Sequence, residues 1–127
     1  MTTSTQNRRR ARLGRRGEQR AAELYRQGGA EIIGRNIAYP VGELDLIVRE
    51  SDGTIVFVEV KTRSSRAFGG AESVTGRKLA RMRRAAAQWL RGRSVENVRF
   101  DVVVLISMRT GNGFEVGLYR GVEHGAR

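Results

Sequence analysis

Apolar and polar residues alternate with changing period along the chain, and the changes of period mark the elements. From Arg15 to Gln27, Ala21, Ala22, Glu23 and Leu24 are good helix formers, and Gly28-Gly29 supplies a stop. Glu31 to Tyr39 reads as a weakly alternating strand closed by Pro40 and Gly42. Two clearer strands, Glu43 to Arg49 and Thr54 to Thr62, flank the turn Ser51-Asp52-Gly53. A Gly-containing loop at 63–73 leads to a second helix from about Gly76 to Arg91, with Thr75 as N-cap and Gly92 as the stop. Leu79, Met82, Ala86, Trp89 and Leu90 form its apolar stripe. Val98 to Ile106 is a buried strand, and Asn112-Gly113 turns it into a last strand, Phe114 to Tyr119.

This order predicts one α/β domain over residues 15–120, a mixed sheet flanked by helices. Residues 1–14, Arg-rich and nearly without apolar side chains, are expected to be a disordered basic tail, because they bury too little surface to offset their ordering entropy. Residues 121–127 are expected to be a flexible end. The 127 residues, 39% hydrophobic, suffice for one modest core.

Composition narrows the chemistry. Without cysteine there are no disulfides, thiolate metal sites or thiol nucleophiles, and His124 alone cannot build a histidine metal cluster. The longest apolar run, Val102 to Ile106, is far short of a bilayer span, and no apolar segment follows the amino-terminal charges. The chain therefore reads as cytoplasmic, with no membrane partner. The arginines at 8–10 are clustered and lack an apolar face, which separates this terminus from an organellar transit peptide.

The net charge is +11, and its placement says more than its size. Residues 1–17 carry six Arg and no acid; 18–62 carry five bases and eight acids; 63–93 carry nine bases and one acid. Basic flanks around an acid-bearing centre suit a polyanionic partner, since Lys and Arg displace counterions condensed on phosphates. In the second helix, Arg77, Arg81, Arg84 and Arg91 share one solvent-facing row. That row serves either as an ordinary solvated face or as a phosphate-contacting one. Lys78, with Arg63 and Arg66 in the preceding loop, is placed to grip phosphates.

The acid-bearing centre has a definite geometry. In the strand Thr54 to Thr62, Ile55, Phe57, Glu59 and Lys61 share one face and Val56, Val58 and Val60 the other. Glu59 and Lys61 are then roughly 7 Å apart. A three-residue hairpin loop with Gly53 in the left-handed position pairs Glu50 with Thr54 and, continuing the ladder, Asp45 with Glu59 and Glu43 with Lys61. Opposed carboxylates, with Cβ atoms about 5 Å apart, repel unless a cation lies between them. Mg²⁺ or Mn²⁺ answers that need through oxygen ligands, using one or two carboxylates plus substrate phosphate. Glu18 shares a helical face with Ala21, Ala22 and Tyr25 and becomes a third acid if that helix packs over the same face. Lys61 stands out because the other 23 Lys and Arg residues include only one further lysine, and Lys, unlike Arg, loses its proton when desolvated. The same residues would also serve a structural network, with Glu43 and Lys61 as a cross-strand ion pair. Asp101, on an apolar strand, reads as a hydrogen-bonded structural acid, and Tyr25 and Trp89 as core.

Gly17-Glu18, Gly42-Glu43-Leu44-Asp45-Leu46-Ile47, Val56-Phe57-Val58-Glu59-Val60-Lys61-Thr62-Arg63, Phe68-Gly69 and Arg99-Phe100-Asp101-Val102-Val103 resemble the bacterial YraN family over residues 13–119. That family is similar to the PD-(D/E)xK nucleases, in the branch of the Holliday junction resolvases. The resemblance implies a restriction endonuclease-like α-β-β-β-α-β core and metal-dependent hydrolysis of phosphodiester bonds in structured or branched nucleic acid, DNA rather than RNA. Asp45 corresponds to the superfamily acid, Glu59 and Lys61 to its ExK pair, and Glu18 to the helix acid of the resolvase branch; Leu44 stands where the superfamily's name has proline. Resolvase-like enzymes are often homodimers, since two cuts in a symmetric junction need two sites. A non-catalytic nucleic-acid-binding module on the same scaffold is the alternative.

Overall fold

The computed structural model describes residues 3–64, 75–111 and 113–122. Helix α1 (Thr3–Gln27) leads into three antiparallel strands, β1 (Glu31–Tyr39), β2 (Gly42–Arg49) and β3 (Ile55–Arg63). Helix α2 (Gly76–Leu90) crosses over to β4 (Val98–Ser107), parallel to β3, and β5 (Phe114–Tyr119) returns antiparallel. The sheet order is β1-β2-β3-β4-β5. This is the expected α-β-β-β-α-β order with one further strand.

Each face of the sheet carries its own apolar layer. Under α2, Leu79, Met82, Ala85, Ala86 and Trp89 pack on Ile47, Phe57, Val102 and Val104. The Trp89 ring stands edge-on to Phe57 at 5.7 Å and 82°. Under α1, Ala21, Ala22 and Tyr25 pack on Leu46, Val48, Val56, Val58 and Val103. Alternation along β3 thus sends Phe57 and Glu59 toward α2, and Val56 and Val58 toward α1.

Local signals act as expected in most places. Thr75 caps α2 by accepting from the Lys78 N–H at 3.2 Å. Gly53, at φ +92°, closes the β2–β3 turn, and the Glu50 N–H donates to the Thr54 carbonyl at 2.9 Å. The resulting register, Arg49↔Ile55 through Leu46↔Val58, is the one predicted.

Two boundaries differ from the sequence reading. Helix α1 starts at Thr3, so the stretch expected to be a disordered tail is helical. The segment is indeed nearly all exposed, as its apolar poverty requires, but Gln, Arg and Ala are helix formers with no glycine before Gly14. Once the packed carboxyl-terminal half of α1 has met the cost of nucleation, the helix propagates backward. At the other end, Gly121 and Val122 are tied down: the Val122 N–H donates to the Phe100 carbonyl at 2.8 Å. Residues 123–127, with His124, lie outside the described residues.

Candidate functional site

The β2–β3 ladder stops at Leu46↔Val58, one pair short of Asp45 and Glu59. Beyond it β2 stays with β1 while β3 continues on β4 as far as Arg63↔Ile106. The Asp45 carboxylate fills the opening by accepting the Val60 N–H at 2.9 Å, taking the place of a strand carbonyl. A pocket of about 300 Å³ lies on the α2 side of this opening, lined by Tyr39, Glu43, Asp45, Glu59, Lys78 and Arg81 among others. Glycine brings its walls together, since a Cβ at Gly42 would lie 2.5 Å from the Arg81 carbonyl oxygen. The close approach sets the first turns of α2 over the start of β2.

Electrostatics follow from that crowding. Burial, then repulsion from Glu59, pushes the Asp45 carboxyl up to about 7; Glu18 and Glu43 add to the rise, while the Val60 N–H opposes it. Burial also raises Glu59, against the pull of Lys78 and Lys61. Lys61 is pushed down by burial first and then by the positive charge of Lys78 and Arg63. The site therefore holds two acids that together retain a proton near neutrality, beside a lysine that gives one up more readily than usual.

Asp45 and Glu59 meet at the pocket wall, while Lys61, two residues along β3, feels the charge of Glu59 but is not among the residues lining the pocket. Glu18 is not placed over their face: α1 covers the opposite side of the sheet, with Gly17 against Thr62 so closely that a Cβ would collide with its Oγ1. Glu18 instead accepts from the Asn36 side chain at 3.4 Å and reaches Asp45 only through its field. The helix periodicity correctly puts Glu18 beside Ala21 and Ala22, but α1 and α2 take different faces.

Lys78 Nζ lies 3.6 Å from Glu59 Oε2, so it caps an acid of the site rather than standing apart from it as a phosphate grip alone. The expected structural pair of Glu43 with Lys61 is replaced by this one. Sequence reasoning misses the ion pair, although the parallel β3–α2–β4 crossover carries the signal, because it returns the start of α2 to the end of β3 where Glu59 sits. Arg81 lines the pocket, and Arg77, Arg84 and Arg91 are exposed along the outer row. Arg63 lines a different groove, beside the amino-terminal half of α1. Arg66 lies outside the described residues.

Among the described residues no group of three or more His, Cys, Asp or Glu side chains is arranged to hold a metal ion. A divalent cation here would rest on the Asp45 and Glu59 carboxylates, whose crowding matches the donor set Mg²⁺ or Mn²⁺ prefers, with water or substrate oxygens completing the shell. Asp101 takes no part. It is fully buried and accepts from the Tyr25 hydroxyl at 2.6 Å, from Arg99 at 2.9 and 3.1 Å and from the Gly121 N–H at 3.1 Å, as befits the structural acid expected. Burial and this bond raise the Tyr25 phenol well above its usual range.

Residues 17–105 match the profile of the uncharacterised protein family UPF0102. The chain belongs to that family. It is 55% identical over 116 residues to a UPF0102 protein of Corynebacterium efficiens, covering 91% of this chain and 95% of the relative. It is 49% identical over 116 residues to one of Corynebacterium glutamicum, covering 91% and 94%. A UPF0102 protein of Frankia alni is 50% identical over 96 residues, covering 73% and 79%. The UPF0102 match runs from Gly17 to Leu105 and so takes in Glu18, Asp45, Glu59, Lys61 and Lys78. No helix among the described residues is long and apolar enough to cross a membrane.

Proposed function

We propose that this UPF0102 protein is a metal-dependent nuclease that hydrolyses phosphodiester bonds in structured or branched DNA. The observation that carries the reading is the meeting of Asp45 and Glu59 at the β2–β3 opening, on the wall of a pocket rimmed by Lys78 and Arg81. Asp45 and Glu59 would hold Mg²⁺ or Mn²⁺, which supplies Lewis-acid polarisation of a phosphoryl oxygen and a lowered water pKa. Val60 fixes Asp45 through its N–H, so one carboxylate oxygen is oriented before any ligand arrives. Lys61, on the same face of β3 as Glu59 and biased toward losing its proton, would accept a proton from an attacking water or balance charge on phosphorus. Arg81 at the pocket and Arg77 and Arg84 on the outer row would hold flanking phosphates, together with Lys78 once it leaves Glu59, Arg63 at the end of β3 and Arg66 beyond it. Two copies would supply the paired cuts a symmetric junction requires.

Cleavage of plasmid, flap and four-way-junction DNA, with and without Mg²⁺ or Mn²⁺, tests the proposal. Metal-dependent cutting that disappears in Glu59→Ala and in Lys61→Ala is the expected result. Absence of cutting by the pure protein, or cutting unchanged in those variants, overturns it.

A second reading, a nucleic-acid-binding module without catalysis, is favoured by one observation: Lys78 already gives Glu59 a positive partner at 3.6 Å. Calorimetric titration with Mn²⁺ separates the two. Saturable binding that depends on Asp45 and Glu59 supports the enzyme, and its absence supports the module.

A further inference from the structure

Helix α1 is packed at one end only. Its buried residues are Gly17, Ala21, Ala22 and Tyr25; Gly17 packs on Thr62, Arg16 lies over the Phe114 ring at 5.1 Å, and before Leu13 the helix is mostly exposed. From Gly17 back to Thr3 the helix runs a further 14 residues, roughly 20 Å at 1.5 Å per residue. This overhang carries Arg8, Arg9, Arg10, Arg12, Arg15 and Arg16 and no acid. Arg8 with Arg12, and Arg12 with Arg16, stand one turn apart, where like charges repel. An arginine-rich helix segment without acids, self-repelling and mostly exposed, is stabilised by a partner of opposite charge.

The overhang also makes a site. Arg9, Arg10, Leu13 and Gly14 face Thr62, Arg63 and Ser64 at the end of β3 across a groove of about 670 Å³, more than twice the volume of the acid pocket. Among the described residues its charged lining is arginine: Arg9, Arg10 and Arg63. Gln6, Arg10, Gly14 and Gly17 follow one another at helical spacing, so the groove is the continuation of the face that packs at Thr62. Glu59 and Arg63 are four residues apart on one strand, about 13 Å at strand rise. That is about four base-pair steps of duplex.

From this placement we infer that the overhang of α1 and the end of β3 form a second phosphate-binding groove, which grips a nucleic-acid backbone a few nucleotides from the strand segment at the acid pocket. The inference rests on the proposed function for what lies at the acid pocket, but the groove's own ligand is the backbone whether or not it is cut. Arginine suits it, since its planar fork meets phosphate oxygens two at a time.

The experiment is fluorescence anisotropy of a labelled duplex oligonucleotide with the full chain, in EDTA and over a salt series, so that no cleavage enters. Arg9→Ala/Arg10→Ala is compared with Arg26→Ala/Arg120→Ala, which removes the same charge at the opposite end of the sheet. Alanine keeps the helix, which circular dichroism checks. The groove variant is expected to bind roughly tenfold or more weakly at 0.1 M salt and to lose about 2 from the slope of log K against log salt. The control is expected to change little, and Arg9→Lys/Arg10→Lys to keep the slope. Equal losses in the two alanine variants, or affinity for anionic phosphatidylglycerol vesicles with none for the oligonucleotide, overturn the inference. Loss of cutting by Glu59→Ala with this binding intact bears on the nuclease alone, whereas loss of the Arg9/Arg10 effect with cutting intact bears on the groove alone.

Discussion

Replacing Asp45 by asparagine should make the protein more stable, by an amount that grows as pH rises from about 4 to about 7 and then levels off. The carboxyl ionises near 7 in the folded chain against 3.8 when exposed, so the native state holds its proton more tightly by about 4 kcal/mol. The native state binds more protons than the unfolded chain between those two values, so stability falls as pH rises from about 4 to about 7. The asparagine side chain carries no charge at any pH and keeps an oxygen for the Val60 N–H. Two effects reduce the gain. Glu59 ionises more readily once its neighbour is neutral, and a neutral amide accepts the Val60 hydrogen bond less strongly than a carboxylate, by about 1 kcal/mol. A net gain of about 2 kcal/mol at pH 8 is expected, shrinking toward zero at pH 4, or about 5–10 °C in Tm for a domain of this size. Thermal melts of Asp45→Asn and the parent chain across pH 4–9 in EDTA measure it. A variant less stable at pH 8, or a gain independent of pH, would refute the account of Asp45 as a crowded, partly desolvated acid. Adding Mn²⁺ at 100 times its dissociation constant should raise parent stability at pH 8 by about 2.7 kcal/mol and leave Asp45→Asn far less affected.

Other consequences are as direct. Lys78→Ala removes the cation nearest Glu59, so the Glu59 carboxyl titration followed by NMR should move to higher pH; no movement would mean the 3.6 Å pair is not populated in solution. Gly42→Ala sets a methyl against the Arg81 carbonyl and should cost about 1–3 kcal/mol in urea unfolding, with a control at exposed Gly111 unsuitable because of its φ of +75° and Gly14→Ala suitable because its Cβ meets nothing. Tyr25→Phe leaves buried Asp101 short of one donor and should cost about 1–3 kcal/mol, mostly in the unfolding free energy at neutral pH, with cleavage and nucleic-acid binding unchanged.

What the sequence discloses follows the reach of its signals. The Ser51-Asp52-Gly53 turn fixes the β2–β3 register because Gly53 has one place in the loop, and register then aligns Asp45 with Glu59. Local chemistry also identifies Thr75 as a cap and Asp101 as a satisfied buried acid. It does not tell which face α1 covers, since Ala21, Ala22 and Tyr25 fit either apolar layer; α1 takes the layer opposite α2, and Glu18 acts on Asp45 through its field. Nor does strand alternation disclose that the ladder ends at Leu46↔Val58, where a side chain replaces a backbone acceptor. The overhang of α1 is hidden for a related reason: low hydrophobicity signals exposure, and exposure is compatible with helix when a packed segment follows.

Asp101 gathers a tyrosine from α1, an arginine two residues before it on β4 and a backbone N–H from Gly121, three segments spread across nearly the whole polypeptide. Central β3 likewise waits for β4, its parallel neighbour, to arrive from beyond α2. During synthesis, then, an emerging chain can form the β1–β3 meander but cannot seal its interior. Final consolidation waits for the segment through Gly121, and a product shortened at Tyr119 would carry all five strands β1–β5 yet leave that carboxylate incompletely clasped.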